Sequence, residues 1–279
     1  MGLNSVKRFA AQVFDLCGLN SAGHFVQRLA LSPFIRVINY HDIPAHLSEN
    51  FSAQLRFYAT RFVNVGYQDL VDFLQGGKWR HDRPGLIISF DDGLRSHYEV
   101  AAPLLEKHGF TGWFFVPAGL IEGIGGRSAA DAAASSPLSA DENLTLEQLR
   151  YLDSHHVVGC HTETHCRLSK DVPTEKLQTE ILEAKRMLER ALGHSMKIFC
   201  WVGGEEYTYS REAAQFIKQG YELSFMTNNA VVRHKTNPLQ LQRTNIEAEN
   251  PLWLVRFQTS GLMDIAYYPK RKRVNRLTE

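Results

Sequence analysis

"LIISFDDGLRSHYEV", residues 86–100, decides the fold and raises the question of function. Leu86-Ile87-Ile88 reads as a buried β-strand, and Gly93 breaks it. Two acids, Asp91 and Asp92, stand side by side where that strand ends. Adjacent carboxylates raise each other's pKa unless a cation separates them or their tasks differ. A plain turn needs only one Asp beside its glycine. The pair therefore points to chemistry.

Working outward, the chain alternates between strand and helix patterns. On the N-terminal side, "FIRVINYHDI" (34–43) is rich in β-branched and aromatic residues and reads as a strand. "NFSAQLRFYATRFVNVGY" (50–67) has helical spacing, with an end expected near Gly66, and "DLVDFLQGG" (69–77) is a short helix. On the C-terminal side the helix "YEVAAPLLEKHG" (98–109) leads to the strand "TGWFFVPA" (111–118). The helix "LTLEQLRYLDSHH" (144–156), expected to be capped at Asn143 or Thr145, leads to the strand "VVGCH" (157–161). A long helix (173–193) ends at Gly193, and the strand "KIFCW", the helix "SREAAQFIKQG", the strand "YELSFMT" and a last strand "LQLQRTNI" (239–246) follow.

This alternation predicts an α/β fold with a parallel sheet, closed or nearly closed as a single barrel. No glycine-rich dinucleotide fingerprint follows the first strand, which counts against an open doubly wound sheet. Residues 119–143 are dominated by Gly, Ala and Ser without an apolar period, and read as a disordered stretch or a mobile loop over a site. No repeat or internal domain boundary is visible. The expected organisation is an N-terminal amphipathic helical segment (1–34), a barrel (35–268) and a basic tail (269–279).

Composition narrows the function classes. With 279 residues and 44% apolar content the chain can bury a large core, and a net charge of +1 gives no reason to expect a nucleic-acid partner. The basic residues Lys270, Arg271, Lys272, Arg273 and Arg276 cluster at the end, as a solvated tail or as an anchor for anionic headgroups. Val6, Phe9, Ala10, Val13 and Phe14 recur at helical spacing, flanked by Lys7, Arg8 and Arg28. That helix either packs on its own domain or lies on a membrane surface. No apolar run reaches the roughly 18 residues of a membrane span, no signal peptide is evident, and Val6 breaks the myristoylation pattern. Four cysteines without a secretory signal favour reduced thiols in a cytoplasmic chain, possible membrane contact aside.

In barrels of this kind reactive groups sit where strands end. Asp91 and Asp92 end one strand, and "GCHTETHCRLS" (159–169) ends another, offering His161 and His165. Two imidazoles and one carboxylate form an ordinary ligand set for Zn²⁺ or another divalent transition metal. With Asp92, His161 and His165 on the metal, Asp91 is left as an ionised base. Cys160 and Cys166 flank the histidines, but strand alternation turns Cys160 away from His161, so a four-ligand zinc site is not expected.

Ser89-Phe90-Asp91-Asp92-Gly93 and His161-Thr162-Glu163-Thr164-His165 together resemble the two leading motifs of the polysaccharide deacetylase family, the NodB-homology domain or carbohydrate esterase family 4. The likeness runs from about Val37 to Gly261. It implies a deformed (β/α) barrel of about seven strands and removal of N-acetyl groups from sugars, with Asp91 as base and Asp92, His161 and His165 as metal ligands. Two departures stand out. The third motif, with its Arg and Pro, is replaced by "FCWVGG" (199–204), and the late Leu-x-His that carries the general acid is replaced by "LQLQRTNI", with Arg243 near that place. "NYHDI" (39–43) resembles the Tyr-His motif of a permuted subgroup that includes biofilm poly-N-acetylglucosamine deacetylases, which implies His41 as the acid; a core histidine is the other reading.

Tyr40, Trp201 and Arg243 are expected on the substrate side, Trp201 as an acetyl-pocket wall or stacking plane and Arg243 also as a partner for Asp91; core packing and a structural ion pair are the respective alternatives. A backbone N–H near Trp201–Gly204 is expected to help stabilise the oxyanion. His97, His155, His156 and His194 read as surface residues. The implied substrate is an acetylated amino sugar in a glycan or in a lipid-linked or nucleotide-linked precursor. A metal-dependent amidase for a non-carbohydrate amide and an inactive glycan-binding barrel remain as rival readings.

Overall fold

A computed structural model of the chain describes residues 11–124 and 142–279. Six parallel strands form the body of the sheet: β1 (Ile35–Tyr40), β3 (Gly85–Phe90), β4 (Gly112–Val116), β5 (Val157–Cys160), β6 (Ile198–Cys200) and β7 (Leu223–Met226), adjacent in that order. Two short strands, β9 (Leu241–Gln242) and β10 (Thr244–Asn245), flank a single residue, Arg243. β9 pairs with β7, and β10 pairs with β1 at the far edge. One five-residue stretch thus touches both edges and nearly closes the barrel, giving the seven staves expected if it counts as one strand. Two further pieces, β2 (Val63–Asn64) beside β3 and β8 (Val231–Val232) antiparallel to β1, were not visible as strands in the sequence.

The period-two alternation of strand side chains divides the core into two layers. Ile35, Val37, Ile87, Trp113, Phe115, Cys200, Phe225 and Leu241 fill the barrel interior. Ile38, Tyr40, Leu86, Ile88, Phe90, Phe114, Val116, Cys160 and Phe199 face the surrounding helices. Both faces of each main strand are buried, which is why "GLIISF" shows no polar alternation. Gly159 faces the interior where an added Cβ would meet the Phe115 ring at 2.6 Å, so the aromatic filling requires a glycine there.

The helices Ser48–Arg61, Tyr67–Gly76, Leu146–His155 and Arg211–Gly220 appear where periodicity placed them. Thr145, one of the two expected caps, forms a capping box with Gln148. Gly193 ends its helix in the left-handed conformation, φ 80°. Gly66 does not end a helix: Ser48–Arg61 stops earlier, β2 intervenes, and the Gly66 amide donates to the Asp69 carboxylate, which caps the start of the next helix. Two helices carry a π-turn, at His97–Ala101 and at Thr179–Glu183. The loop expected over 119–143 lies mostly outside the described residues, as do Val6, Phe9 and Ala10.

The expected loose tail is instead a helix, Tyr268–Leu277, held by the buried Val274, by Arg273 paired with Glu206, and by Arg271 donating to the Asp264 carbonyl. Among the described residues no helix is long and apolar enough to cross a membrane.

Candidate active site

Asp91 and Asp92 leave the C-terminal end of β3 in different directions, and left-handed backbone is what separates them. Asp92 has φ 78°, which swings its carboxylate toward the β5 loop while Asp91 continues the inward alternation of Ile87 and Ser89. Thr162 (φ 68°), His165 (φ 60°) and Asn229 (φ 49°) are the other non-glycine residues with positive φ among those described, and all adjoin the same cleft. Such conformations cost on the order of 1–3 kcal/mol each and gather where geometry is imposed by function.

Asp92 Oδ1 lies 2.9 Å from His165 Nε2 and 3.7 Å from His161 Nε2. The three ligand atoms lie within 4.8 Å of one another. His161 Nδ1 donates to the Cys200 carbonyl at 2.9 Å, which leaves the Nε2 lone pair free to bind a cation. Burial drives the His161 pKa down to about 4, so the ring is neutral as a ligand must be. Burial raises the Asp92 carboxyl, but the close His165 ring and the other nearby imidazoles outweigh it and keep it ionised. Asp92 Oδ1 is buried, and its close approach to His165 Nε2 is not aligned as a regular hydrogen bond. A buried carboxylate oxygen facing two imidazole nitrogens fits a divalent cation of the zinc class. A second, deeper group of ligand-type side chains, Asp91, His161 and Cys200, shares His161; no motif in the sequence marks Cys200 as part of it.

The loop that carries both histidines is braced from within and from outside. Cys166 N donates to Thr162 Oγ1 at 3.0 Å, closing the turn. Glu180, fully buried in the second π-turn, accepts from Glu163 N and Thr164 N, each at 2.9 Å, and from Thr164 Oγ1 at 2.6 Å. No spacing in the sequence links Glu180 to this loop.

Asp91 is held by Arg243 in a two-pronged pair, Nη1–Oδ1 2.7 Å and Nη2–Oδ2 2.8 Å. Nη1 also donates to Asn39 Oδ1 at 2.8 Å, and the guanidinium lies 5.3 Å from the centre of the Phe115 ring. Burial raises the Asp91 carboxyl, but the charge of Arg243 prevails and lowers it, so Asp91 is an anion at neutral pH. Arg243 is fully buried and lies beneath the cleft rather than on its wall.

His41, one residue past β1, faces Asp91 and Asp92 across the cleft. Its Nδ1 lies 3.3 Å from Glu247 Oε1. Burial lowers its pKa, but Glu247 and the two aspartates prevail and raise it to about 9, so the ring is protonated at neutral pH. Behind it, His97 donates from Nε2 to the His41 carbonyl at 2.7 Å. His97 is not a surface residue: it is fully buried against the rings of Phe90 and Phe114. His156 is also buried, against Phe114, whereas His155 and His194 are exposed as expected.

Tyr40 and Trp201 are placed away from the cleft. Alternation puts Asn39 and Cys200 inside the barrel and therefore turns Tyr40 and Trp201 toward the helices. Tyr40 donates to Gln54 at 2.6 Å, and Trp201 packs 5.0 Å from the Tyr209 ring. The Trp201 amide is already bonded to the Phe225 carbonyl, but Val202, Gly203 and Gly204 do line the cleft. The opposite wall comes from Gln258, Met263, Tyr267 and Lys270, far along the chain and unmarked by any motif. The whole cleft encloses about 540 Å³.

A parallel barrel with a carboxylate and two imidazoles converging at the C-terminal ends of its strands defines a class of α/β-barrel hydrolase sites. Residues 79–222 match the family described as polysaccharide deacetylase, and the chain belongs to that family. YxkH of Bacillus subtilis, assigned by name to the same family, is 23% identical over 162 residues. That match covers 58% of this chain and 51% of YxkH, so the chain spans about half the length of this curated relative. Among solved structures, the Streptococcus pyogenes deacetylase PplD in complex with acetate superposes with a TM-score of 0.64 at 20% identity, covering 80% of this chain and 97% of PplD. IcaB from Ammonifex degensii superposes with a TM-score of 0.65 at 20% identity, covering 82% and 97%. These structures share the deformed (β/α) barrel.

Proposed function

We propose that the protein is a metal-dependent N-deacetylase that hydrolyses the acetamide of an amino sugar, in a glycan or in a lipid-linked or nucleotide-linked precursor, and releases acetate. The observation that carries this reading is the buried Asp92 Oδ1 facing His161 Nε2 and His165 Nε2, with two further titratable groups, Asp91 and His41, lining the same cleft. Membership of the polysaccharide deacetylase family supports the substrate class.

Asp92, His161 and His165 would hold a divalent cation, which when bound would supply Lewis acidity to the hydrolysis. Asp91 accepts the proton of that water as it attacks. The two prongs of Arg243 fix the plane of the Asp91 carboxylate, and the lone pairs they leave unused receive the proton. His41, protonated and steadied by Glu247, gives its proton to the departing nitrogen, so that the leaving group is a neutral amine. The Val202–Gly204 turn lines the cleft and supports the expectation of a backbone donor for the oxyanion.

The test is direct. Purified protein is expected to bind one Zn²⁺ or Co²⁺ by elemental analysis and to release acetate from acetylated amino-sugar oligomers. Asp92→Asn and His161→Ala should each abolish both. Full acetate release by metal-free Asp92→Asn protein refutes the reading.

A further inference from the structure

The N-terminal helix Leu19–Leu31 is packed with its polar side inward. Asn20 is fully buried and Gln27 is 6% exposed. Asn20 Nδ2 donates to Asp15 Oδ1 at 3.1 Å, Gln27 Nε2 approaches Asp264, and His24 Nε2 lies 3.2 Å from the Arg256 carbonyl. The opposite side shows Leu19, Phe25 (67% exposed), Val26 and Leu29 (78%), with Leu16 in the preceding turn at 82%. At 100° per residue these positions from 19 to 29 fall on one continuous face. In water a surface helix is arranged the other way round, because apolar area is driven out of solvent. This apolar face is built to meet something other than water.

The charges around the face indicate what that is. No Asp or Glu occurs between Asp15 and Asp42, and Asp15 is itself paired with Arg256. Arg28, Arg61 and Arg83 surround Phe25 in a shallow cavity beside the helix. An apolar ridge edged by arginines complements an anionic lipid surface: the ridge enters the acyl boundary and the guanidinium groups meet phosphate headgroups. A second copy of this face would bring arginines against a segment, 16–41, that has no acidic residue to answer them.

The face also has a position relative to the cleft. The helix packs on Leu252–Thr259 and Asp264, and the same stretch supplies Gln258 and Met263 to the cleft wall. Ile265 and Tyr268, on the two helices that follow, are also exposed apolar residues, and they are close in sequence to the cleft residues Met263, Tyr267 and Lys270.

We propose that this chain docks on anionic bilayers through Leu16, Leu19, Phe25, Val26 and Leu29, with Arg28, Arg61 and Arg83 contacting headgroups. The further consequence, that its acetamide substrate is presented at a membrane, rests on the deacetylase reading; the docking itself does not.

The experiment is co-sedimentation of the full chain with phosphatidylcholine vesicles and with vesicles containing one-third phosphatidylglycerol. Binding to the anionic vesicles is expected to be at least about tenfold tighter than to the neutral ones and to weaken in high salt. Phe25→Glu with Leu29→Glu, exposed positions whose replacement leaves the packed side intact, should abolish it, and Arg28→Glu should weaken it. Circular dichroism melts of these variants verify folding. Absence of binding to anionic vesicles overturns the proposal. So does a dimer seen by light scattering that Leu29→Glu dissociates, since the face is then covered by a second copy. Vesicle binding with no acetate release from any acetylated amino sugar would leave the docking intact and count against the deacetylase instead.

Discussion

Asp91 is set by one contact above all, the fork of Arg243. Lysine keeps the charge but cannot grip both oxygens. Arg243→Lys is therefore expected to lower kcat/KM by roughly 10²-fold with metal content unchanged, through loss of orientation. Arg243→Met leaves a buried carboxylate unpaired and should cost about 3–5 kcal/mol in a denaturant melt. The pair of His41 with Glu247 makes a different prediction. Removing the carboxylate lowers the His41 pKa from its value of about 9, so its proton is lost at lower pH. In Glu247→Gln the alkaline limb of the kcat profile should move to lower pH, with the acid limb unmoved; a profile that coincides with wild type would exclude Glu247 as the orienting partner. These residues differ in how legible they were. Asp91, Asp92, His161 and His165 occur in two local motifs whose spacing carries the chemistry. Glu180 reaches the site only through folding, with no motif near it in sequence, and Glu247, although it follows 239–246 directly, belongs to no motif of its own. Tyr40 and Trp201 were misplaced because each adjoins a site residue in sequence, and adjacency on a strand means the opposite face.

At the level of elements, the π-turn Thr179–Glu183 inserts an extra residue just where Glu180 must meet the His161–His165 loop. Glu180→Gln retains one acceptor oxygen in place of two and is expected to weaken Zn²⁺ or Co²⁺ affinity by roughly 10–100-fold, measured by titration with a competing chelator. An unchanged affinity would reduce Glu180 to a helix-packing residue. The N-terminal helix gives a prediction of opposite kind. Burial and the nearby arginines hold the His24 pKa down to about 4. The unfolded chain therefore binds a proton that the docked helix refuses between about pH 6.5 and 4, and docking weakens as the pH falls through that window. Amide exchange in residues 19–31 should rise over that range ahead of the barrel strands. Helices of strong periodicity were readable, and so were the caps at Thr145 and Gly193. β2 and β8 were not, because two-residue strands have no period to detect.

On the scale of the whole molecule, the alternation of strands and helices was enough to predict a parallel barrel, since βα crossovers leave few other arrangements. What it did not reveal is how the ring closes. Residues 239–246 looked like one ordinary strand, yet β9 and β10 serve different neighbours, with Arg243 alone between them. That residue is both the keystone of the ring and the clamp on Asp91. Partial opening along this seam must release the carboxylate while six staves and their helices stay in place. In rising guanidinium the catalytic signal should accordingly disappear at a lower concentration than the far-ultraviolet one, so that turnover serves as a gauge of whether the ring is shut.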